Sequence, residues 1–477
     1  MASGCQVTNF GRNVVFVPAA IEQPGDTAAL KAALKFHREK PMRCMGAHHS
    51  WSRVCATEGV LFDLCHLDEV KIEVLPDNGT EGRVRVGGGC TLTRLLEELR
   101  RDDCTLPTLG AITKQTIAGA ISTGTHGSGH QSLSHIVEEV RLAHLDEKGT
   151  PQIAKIDAGA DLLAARCALG SLGVIVEAVL RIRKRYRIEE RVQKTKALDE
   201  VLAEPKQGSL TQFALLPWSW TYVVYRRKKA DAEGSRWRAL ICRAWNFIFT
   251  DLVLHLFLKF LLLPWAQVFG ERSIRSFFRI LPWLIRTGPA RIDDSEAILT
   301  MHHDLFRHVE MELFVREEHL ADAIAAIRQI VEIAGAGATQ MDRLSALAPE
   351  RRDEVWRLRG AYTLHYPLFF RRVRPDETLL SMTSGVGEPG GDWYSISFFT
   401  YRRPREDFDR FAGVVARCMR DLFGARLHWG KYFPLPLQDA ARAYPGFEDF
   451  AAVCRRYDPG KRFAYLDTAA AQSTPAA

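Results

Sequence analysis

Apolar runs alternate with amphipathic stretches along the first 187 residues. Residues 14–18 form an apolar run that predicts a short strand, and Asp26 precedes apolar residues at helical spacing up to residue 36. Residues 42–45 predict the next strand. The same order continues with strands at 59–64 and 83–86 and a helix at 91–101. This pattern is typical of an α/β or α+β nucleotide-binding domain.

The pattern changes character near residue 187. Before it, residues 137–144 predict a strand, 161–167 a helix, and 170–182 a glycine turn followed by a buried strand. Charged stretches of helical character and several tryptophans follow. We therefore place a domain boundary near 187.

A second α+β region is predicted downstream of that boundary. Strands are expected at 310–315, 368–373 and 393–401, and helices at 318–334 and 407–423. We predict a first domain over 1–187, a second over 188–425, and a C-terminal segment over 426–467. Residues 468–477, rich in Ala, Thr, Ser and Pro, predict a disordered tail.

An apolar insertion occupies about 239–286 in the second domain. Its most apolar part, 251–270, approaches the length of a membrane span but contains His255, Lys259 and Pro264. Besides a true span, the alternatives are a helix lying on a membrane, a cover over an apolar substrate tunnel, and plain burial. Peripheral membrane contact through about 251–286 therefore stays open.

Composition excludes several classes of protein. With 477 residues and 47% hydrophobic residues, the chain can bury a sizeable core. The net charge of +7 is spread over 64 basic and 57 acidic residues, so nucleic-acid binding is not indicated, and runs such as 226–229 are expected to be solvated. Ten scattered cysteines without metal-ligand spacing indicate free thiols and no metal site. Together with the lack of a signal peptide, they predict a cytoplasmic protein whose oligomeric state is left open.

A stretch rich in glycine and hydroxyl side chains runs from Gly110 to Gly129. Its glycines permit close backbone approach, its hydroxyls can donate hydrogen bonds, and it carries almost no charge, a composition suited to a pyrophosphate. An exposed linker is the alternative. Apolar residues between the small ones, such as Ile117 and Ile121, argue against it.

Two shorter motifs accompany this stretch. Gly46-Ala-His-His-Ser50 follows a predicted strand and can place a backbone turn and a hydroxyl at a phosphate, with an imidazole aimed at the bound group. His428-Trp-Gly-Lys431 is too short to carry an interpretation alone.

The three motifs together resemble the vanillyl-alcohol-oxidase class of flavoproteins, and within it the sugar-lactone and alditol oxidases. The resemblance covers roughly 10–187 and 300–467. It implies an α+β fold with a two-subdomain FAD-binding domain and a substrate cap built on a mainly antiparallel sheet. It also implies FAD as cofactor, with covalent attachment through His49 as an option.

The resemblance assigns functional residues to this chain. The cofactor-binding set is Gly46, Ala47, His48, His49, Ser50, Thr116, Gly119, Ala120, Thr123, Gly124, Thr125, His126, Gly127, Ser128, Gly129, Val174 and Ile175. The predicted catalytic set is Lys431, His428 and Arg371 from the resemblance, together with Glu312, which lies outside the matched motifs. Lys431 would face the substrate and stabilise negative charge on the reduced ring or on the substrate oxygen.

One departure from the family pattern bears on the substrate. The related oxidases carry a Glu-x-Arg pair where this chain has Phe369-Phe-Arg371, so an acceptor for substrate hydroxyls is lost. Glu312 is a candidate replacement. A more apolar alcohol would suit Phe369, Phe370 and the insertion.

The expected activity is oxidation of a CH–OH group of a small molecule, either a sugar lactone, as in D-arabinono-1,4-lactone oxidase, or an alditol or related alcohol. Hydride passes to flavin, and dioxygen or another acceptor reoxidises it. The alternatives are a dehydrogenase with a non-oxygen acceptor and a more apolar substrate, and a membrane-associated binding protein with a degenerate flavin fold.

Overall fold

The computed structural model describes residues 5–77, 80–203, 207–231, 234–245, 256–285, 287–301, 307–387, 390–402, 405–437, 440 and 443–466. The predicted tail at 468–477 and the first residues of the apolar run, 251–255, lie outside these ranges.

The described strands, β1 to β19 in chain order, are Val7–Thr8, Val15–Phe16, Ala20–Glu22, Met42–Met45, Val60–Asp63, Val70–Val74, Gly82–Gly87, Cys104–Thr105, Val137–Leu145, Pro151–Ile156, Val174–Lys184, Arg187–Thr195, Gln212–Leu216, Thr221–Ala230, Arg291–Asp294, Val309–Arg316, Leu368–Val373, Trp393–Thr400 and Arg426–Leu427. The described α-helices are Thr27–Phe36, Leu92–Arg101, Ile117–Ser122, Gly159–Ala165, Leu198–Leu202, Arg236–Trp245, Leu263–Phe269, Arg272–Leu284, Ser295–Leu299, Leu320–Ala336, Pro349–Trp356, Glu406–Phe423 and Phe447–Tyr457.

The N-terminal part contains two sheets. A parallel three-stranded sheet has the order β3-β5-β4, and helix Thr27–Phe36 connects β3 to β4. Asp26 caps this helix by accepting a hydrogen bond from the Ala29 N–H at 2.7 Å, so the predicted start of the helix is confirmed. The second sheet is antiparallel, with the order β10-β9-β11-β7-β6 and with β8 paired to β11.

A buried guanidinium joins distant segments of this part. Arg43, on β4, donates hydrogen bonds to the carbonyls of Val54, Leu169 and Phe463, and the Phe463 contact is 2.6 Å. Burial lowers the pKa of Arg43. Because these carbonyls come from three separate stretches, this one side chain ties the C-terminal segment to the N-terminal sheets.

An eight-stranded antiparallel sheet forms the second part, in the order β15-β12-β14-β13-β17-β18-β16-β19. Together with the N-terminal sheets it confirms the α+β fold with a mainly antiparallel cap. β11 ends at Lys184 in one sheet and β12 begins at Arg187 in the other. The domain limits at 187 and 425 stay predictions.

The helical interpretation of the charged stretches after residue 185 is wrong. Residues 187–195 and 221–230 are β12 and β14, paired along their whole length. Pairing between the two strands accounts for their many charged residues. Arg227 on β14 donates to Glu190 on β12 at 2.7 Å, and both side chains are buried. The run 226–229 is therefore only partly solvated.

Alternation along β16 separates a core face from a polar face. Met311, Leu313 and Val315 are buried in the hydrophobic core of the cap, which also holds helices Leu320–Ala336 and Glu406–Phe423. Glu310 and Glu312 project to the opposite face. That polar face is directed toward the N-terminal part of the chain.

The described part of the insertion is helical. A π-helical stretch, Phe257–Leu262, leads into helix Leu263–Phe269, which packs on helix Arg272–Leu284. Among the described residues, no helix has the length and apolarity to cross a membrane.

Candidate active site

A cavity of about 360 Å³ lies between the N-terminal part and the polar face of the cap sheet. Most of its wall comes from residues 46–51, residues in 109–128, the strands β16 to β18, and residues 428–431, and residues 298–301 also contribute. The three motifs singled out in the sequence therefore meet in one place.

The turn at 46–50 directly follows β4. A Cβ atom on Gly46 would lie 2.1 Å from the Thr116 hydroxyl oxygen, so the two glycine-rich turns touch and this position needs glycine. His48 has a φ of 55°, in the left-handed region that is uncommon for residues with a side chain and that Asn, Asp and His adopt more often than the others. His49 stacks on Phe10 with ring centroids 5.1 Å apart.

The longer motif turns sharply after a short helix. Thr116 caps helix Ile117–Ser122 by accepting from the Gly119 N–H at 3.3 Å. A Cβ atom on Gly127 would lie 2.4 Å from the Leu109 carbonyl oxygen, which again requires glycine. The turn therefore brings backbone very close to the cavity.

Most of the residues predicted from the motifs lie on the cavity wall. They are Gly46, Ala47, His48, His49, Ser50, Thr116, Gly119, Thr123, Thr125, His126, Gly127, Ser128, Glu312, Arg371, His428 and Lys431. The structure does not place Ala120, Gly124, Gly129, Val174 or Ile175 on that wall. Ala120, Val174 and Ile175 are buried in hydrophobic core instead.

The C-terminal motif is held against β16 by backbone hydrogen bonds. The His428 N–H donates to the Glu312 carbonyl at 2.9 Å, and the Tyr432 N–H donates to the Glu310 carbonyl at 2.8 Å. The Trp51 N–H donates to the Gly430 carbonyl at 2.8 Å, which joins this motif to the turn at 46–50. These bonds fix His428 and Lys431 relative to both walls.

Three buried side chains form an ionisable group in the wall. His126 Nε2 lies 3.2 Å from Glu312 Oε1, and suitable ligand atoms of His126, Glu312 and His428 lie within 4.8 Å of one another. His126 Nδ1 contacts the Gly127 carbonyl oxygen at 3.0 Å, so it carries a proton.

Electrostatics keeps Glu312 ionised. Burial alone would raise its pKa, but His126, Lys431 and His428 together hold the pKa well below its usual range. For His428 burial dominates and lowers the pKa well below the ordinary value. The Gly430 N–H donates to His428 Nδ1 at 3.0 Å, so the proton of the neutral ring lies on Nε2.

Three cationic side chains, Lys431, Arg371 and Arg227, line the wall, and they differ in their partners. Arg227 is paired with Glu190 at 2.7 Å. The Lys431 ammonium forms an ion pair with Glu310 and lies 4.6 Å from the centroid of the Trp51 ring. Arg371 has no carboxylate within ion-pair distance among the residues that the structure describes. Its charge is available to an anionic or oxygen-bearing ligand.

Aromatic side chains form the other wall. Phe369 lies 5.9 Å from Phe399, Tyr366 lies 5.1 Å from Phe399, and Tyr401 lies 5.5 Å from Tyr366, all between ring centroids. Phe370 does not belong to this wall, contrary to the sequence interpretation. It projects into the cap core and stacks on Phe213 at 4.6 Å, because adjacent residues of a strand face opposite sides.

Sequence reasoning missed Glu310, Tyr366, Tyr401 and Gln212, which also line the cavity. The period of two along β16 could have identified Glu310, because it lies on the same face as Glu312. Gln212 pairs in register with Arg371 across β13 and β17, and sequence alone gave no sign of that pairing.

The residues present fit FAD. Buried polar atoms without an aligned hydrogen bond, namely His48 Nδ1, His126 Nε2 and both Glu312 carboxylate oxygens, belong to residues of the cavity wall. The two turns that meet at Gly46 offer backbone N–H groups and hydroxyls, and Arg371 offers positive charge. A large anionic ligand with ring and ribityl oxygens would use these groups.

Comparisons with known proteins agree with this reading. Residues 18–151 match the FAD binding domain family, and residues 176–469 match the D-arabinono-1,4-lactone oxidase family. The chain is 41% identical over 469 residues to a long-chain alcohol oxidase from an uncultured marine euryarchaeote, covering 96% of this chain and 95% of that protein. It is 22% identical over 473 residues to L-gulonolactone oxidase of Mus musculus, covering 97% and 98%.

Among solved structures, cholesterol oxidase from Brevibacterium sterolicum superposes with a TM-score of 0.71 at 14% sequence identity. The superposition covers 98% of this chain and 96% of that chain. This likeness supports the fold.

Proposed function

The chain belongs to the D-arabinono-1,4-lactone oxidase family of FAD-dependent oxidoreductases, and from this premise we propose that its donor is an apolar long-chain alcohol. As a member of that family it binds FAD and acts on CH–OH donors. The proposed product is the corresponding aldehyde.

The observation that carries the proposal is the aromatic wall beside Arg371. Phe369 lines the cavity and packs edge-on against Phe399. By the resemblance to the sugar-lactone and alditol oxidases, it stands where the family's carboxylate would accept hydrogen bonds from substrate hydroxyls. A wall of this kind gains free energy from an alkyl chain and leaves the hydroxyls of a sugar unpaired. The similarity to a long-chain alcohol oxidase supports the same substrate class.

FAD, when bound, supplies the acceptor for the hydride that leaves the donor carbon. Arg371 and Lys431 would hold the donor oxygen and stabilise the charge that develops on it. Glu310 is proposed to accept the hydroxyl proton, because its carboxylate lies on the cavity wall beside Lys431, which would hold the donor oxygen. Glu312 would remain ionised with His126 and help to fix the cofactor side of the wall.

Dioxygen is the proposed terminal acceptor. The donor then loses one hydride and one proton, and dioxygen is reduced to hydrogen peroxide with those two electrons and two protons. The cofactor would be held by the two glycine-rich turns, with His49 as the proposed point of covalent attachment.

The substrate class also supports a peripheral membrane location, since a long-chain alcohol partitions into lipid.

The test is a series of primary alcohols of increasing chain length, with the aldonolactones and alditols as comparison. We expect kcat/KM to rise with chain length and peroxide to form in equal amount to aldehyde. Preference for a lactone or alditol would contradict the substrate class. Flavin bleaching without formation of peroxide would contradict dioxygen as the acceptor and indicate another one.

Variants separate the proposed roles. Glu310→Gln should lower the rate of flavin reduction at neutral pH and move its pH profile, whereas Lys431→Met should lower that rate at every pH. The exposed Glu58→Gln is the control. An unchanged pH profile in Glu310→Gln would contradict the proposal that Glu310 accepts the hydroxyl proton.

Covalent attachment has a separate readout. Acid-precipitated wild-type protein should stay yellow, His49→Ala should release the colour, and His48→Ala should not. Release of colour from wild type would contradict attachment.

A further inference from the structure

The insertion carries a large exposed apolar surface, here called the outer apolar face. Its side chains project from helices Leu263–Phe269 and Arg272–Leu284, which pack on each other, and from the π-helical stretch that precedes them. They include Phe260, Trp265, Val268, Phe269, Trp283 and Leu284. Trp283 is 86% exposed and Val268 is 75% exposed. Contiguous exposed apolar side chains of this size mark an interaction surface.

The helices are fixed to the cap by their opposite side, so this surface cannot turn inward. Leu258, Ile274 and Phe278 are fully buried in the cap core. The Lys194 ammonium donates to the Pro282 and Ile285 carbonyls at 2.8 and 3.0 Å, which anchors the end of the last helix. Both sides of these helices are therefore apolar, and only one of them is covered by the cap.

Positive charge accompanies the outer apolar face. The described stretch 256–285 contains four Arg and Lys residues, at 259, 272, 275 and 279, against one acidic residue, Glu271, a net charge of +3. Glu271 is already paired with Arg402 at 2.6 Å. Arg272 and Arg279 are exposed on the same helix as Trp283.

We propose that the outer apolar face docks on an anionic lipid surface. Aromatic and aliphatic side chains beside arginines are the composition of helices that lie in a membrane interface. A second copy of this chain fits less well, because a symmetric contact through this face would bring two positively charged segments together. Each basic residue near an anionic surface contributes about 1 kcal/mol, so several together strengthen binding by more than tenfold.

Docking would also present the enzyme to its donor, and this part of the inference depends on the proposed function. The Arg402–Glu271 ion pair joins the start of helix Arg272–Leu284 to the residue after Tyr401. Tyr401 belongs to the aromatic wall of the cavity. The lipid-facing helices are thus attached directly to the wall that would receive an alkyl chain.

Vesicle sedimentation of the flavin-loaded full chain tests the docking. We expect vesicles of phosphatidylcholine with phosphatidylglycerol to bind at least about tenfold more tightly than phosphatidylcholine alone, and high salt to weaken the binding. The double variant Val268→Glu with Trp283→Glu should lose at least about tenfold in affinity. Phe36→Glu, at an 82% exposed phenylalanine on helix Thr27–Phe36 of the N-terminal part, should bind like wild type.

Two results would overturn the inference: no binding to the anionic vesicles, or equal binding by wild type and the double variant. A wild-type dimer that the double variant dissociates, without vesicle binding, would assign the face to a second copy and also overturn it.

Turnover separates this inference from the proposed function. The double variant should oxidise a short soluble alcohol like wild type and lose activity on a long-chain alcohol supplied in vesicles. If no alcohol is oxidised by any form, the proposed function fails while the vesicle result still decides the docking.

Discussion

At the scale of single residues, one row across the cap sheet sets the chemistry of the cavity. Phe369, Ser397 and Glu312 are in register on β17, β18 and β16. The row therefore presents an aromatic ring on one side of the site and a carboxylate on the other. Replacing Phe369 by glutamate would place a carboxylate at both ends of this row.

Phe369→Glu should change the substrate preference. We expect kcat/KM for a long-chain alcohol to fall by at least about tenfold, because a carboxylate must then be desolvated against the alkyl chain, and oxidation of an alditol to rise. Phe369→Leu is the matched control and should keep the preference. Steady-state kinetics on both donors decides it, and a fall in both activities would count against a specificity role.

Sequence reasoning reached most of the site at this scale. Glycines and hydroxyls in Gly46–Ser50 and Thr116–Ser128 were found because turns that approach a ligand closely restrict residue type. Glu310 and Tyr401 were missed, since their place on the wall depends on strand register. Phe370 was assigned to the wrong face for the same reason.

At the scale of elements, the two glycine-rich turns form one unit. The missing side chain of Gly46 is the space that the Thr116 hydroxyl occupies, while the same hydroxyl caps the following helix. A side chain at position 46 would therefore collide with the same hydroxyl that forms the cap.

Gly46→Ala should therefore lose flavin. We expect at least about tenfold weaker FAD binding together with a lower Tm, because a Cβ atom 2.1 Å from the hydroxyl forces the turns apart. Gly25→Ala, where an added Cβ meets nothing within 4 Å, is the control. Flavin content by absorbance and thermal unfolding measure the two effects, and a fully loaded Gly46→Ala variant would refute the argument.

Helices with a capping residue and regularly spaced leucines were predicted closely. Strands whose charged residues pair with a neighbouring strand were not. Helices Thr27–Phe36 and Leu92–Arg101 have an Asp or Thr cap and buried leucines at helical spacing, so their limits could be read from the sequence. β12 and β14 carry charges whose partners lie on the opposite strand, and that information is not local.

At the scale of the whole molecule, buried histidines make stability depend on pH. Burial lowers the pKa of His365 to about 3, and that of His130 and of His135 to about 4. The unfolded chain, with histidine pKa values near about 6.5, binds protons that the folded chain does not. Stability is therefore full above about pH 6.5 and is lost progressively as the pH falls toward these folded pKa values.

His365 alone should cost about 2 kcal/mol of unfolding free energy between pH 7 and pH 5. His365→Gln, whose carbonyl can still accept from the Tyr401 N–H, should remove that part of the pH dependence. The exposed His66→Gln is the control for removing one histidine. Urea unfolding at the two pH values measures the difference, and equal losses in wild type and His365→Gln would contradict it.

The walls of the cavity come from residues 46–51 and from residues 428–431, joined by the hydrogen bond between Trp51 and Gly430. During synthesis on the ribosome, residues 46–51 are made first, and residues 428–431, which complete the site, are translated almost four hundred codons later. Cofactor capture is consequently a late event in biogenesis, and nascent chains arrested before residue 428 should emerge without flavin.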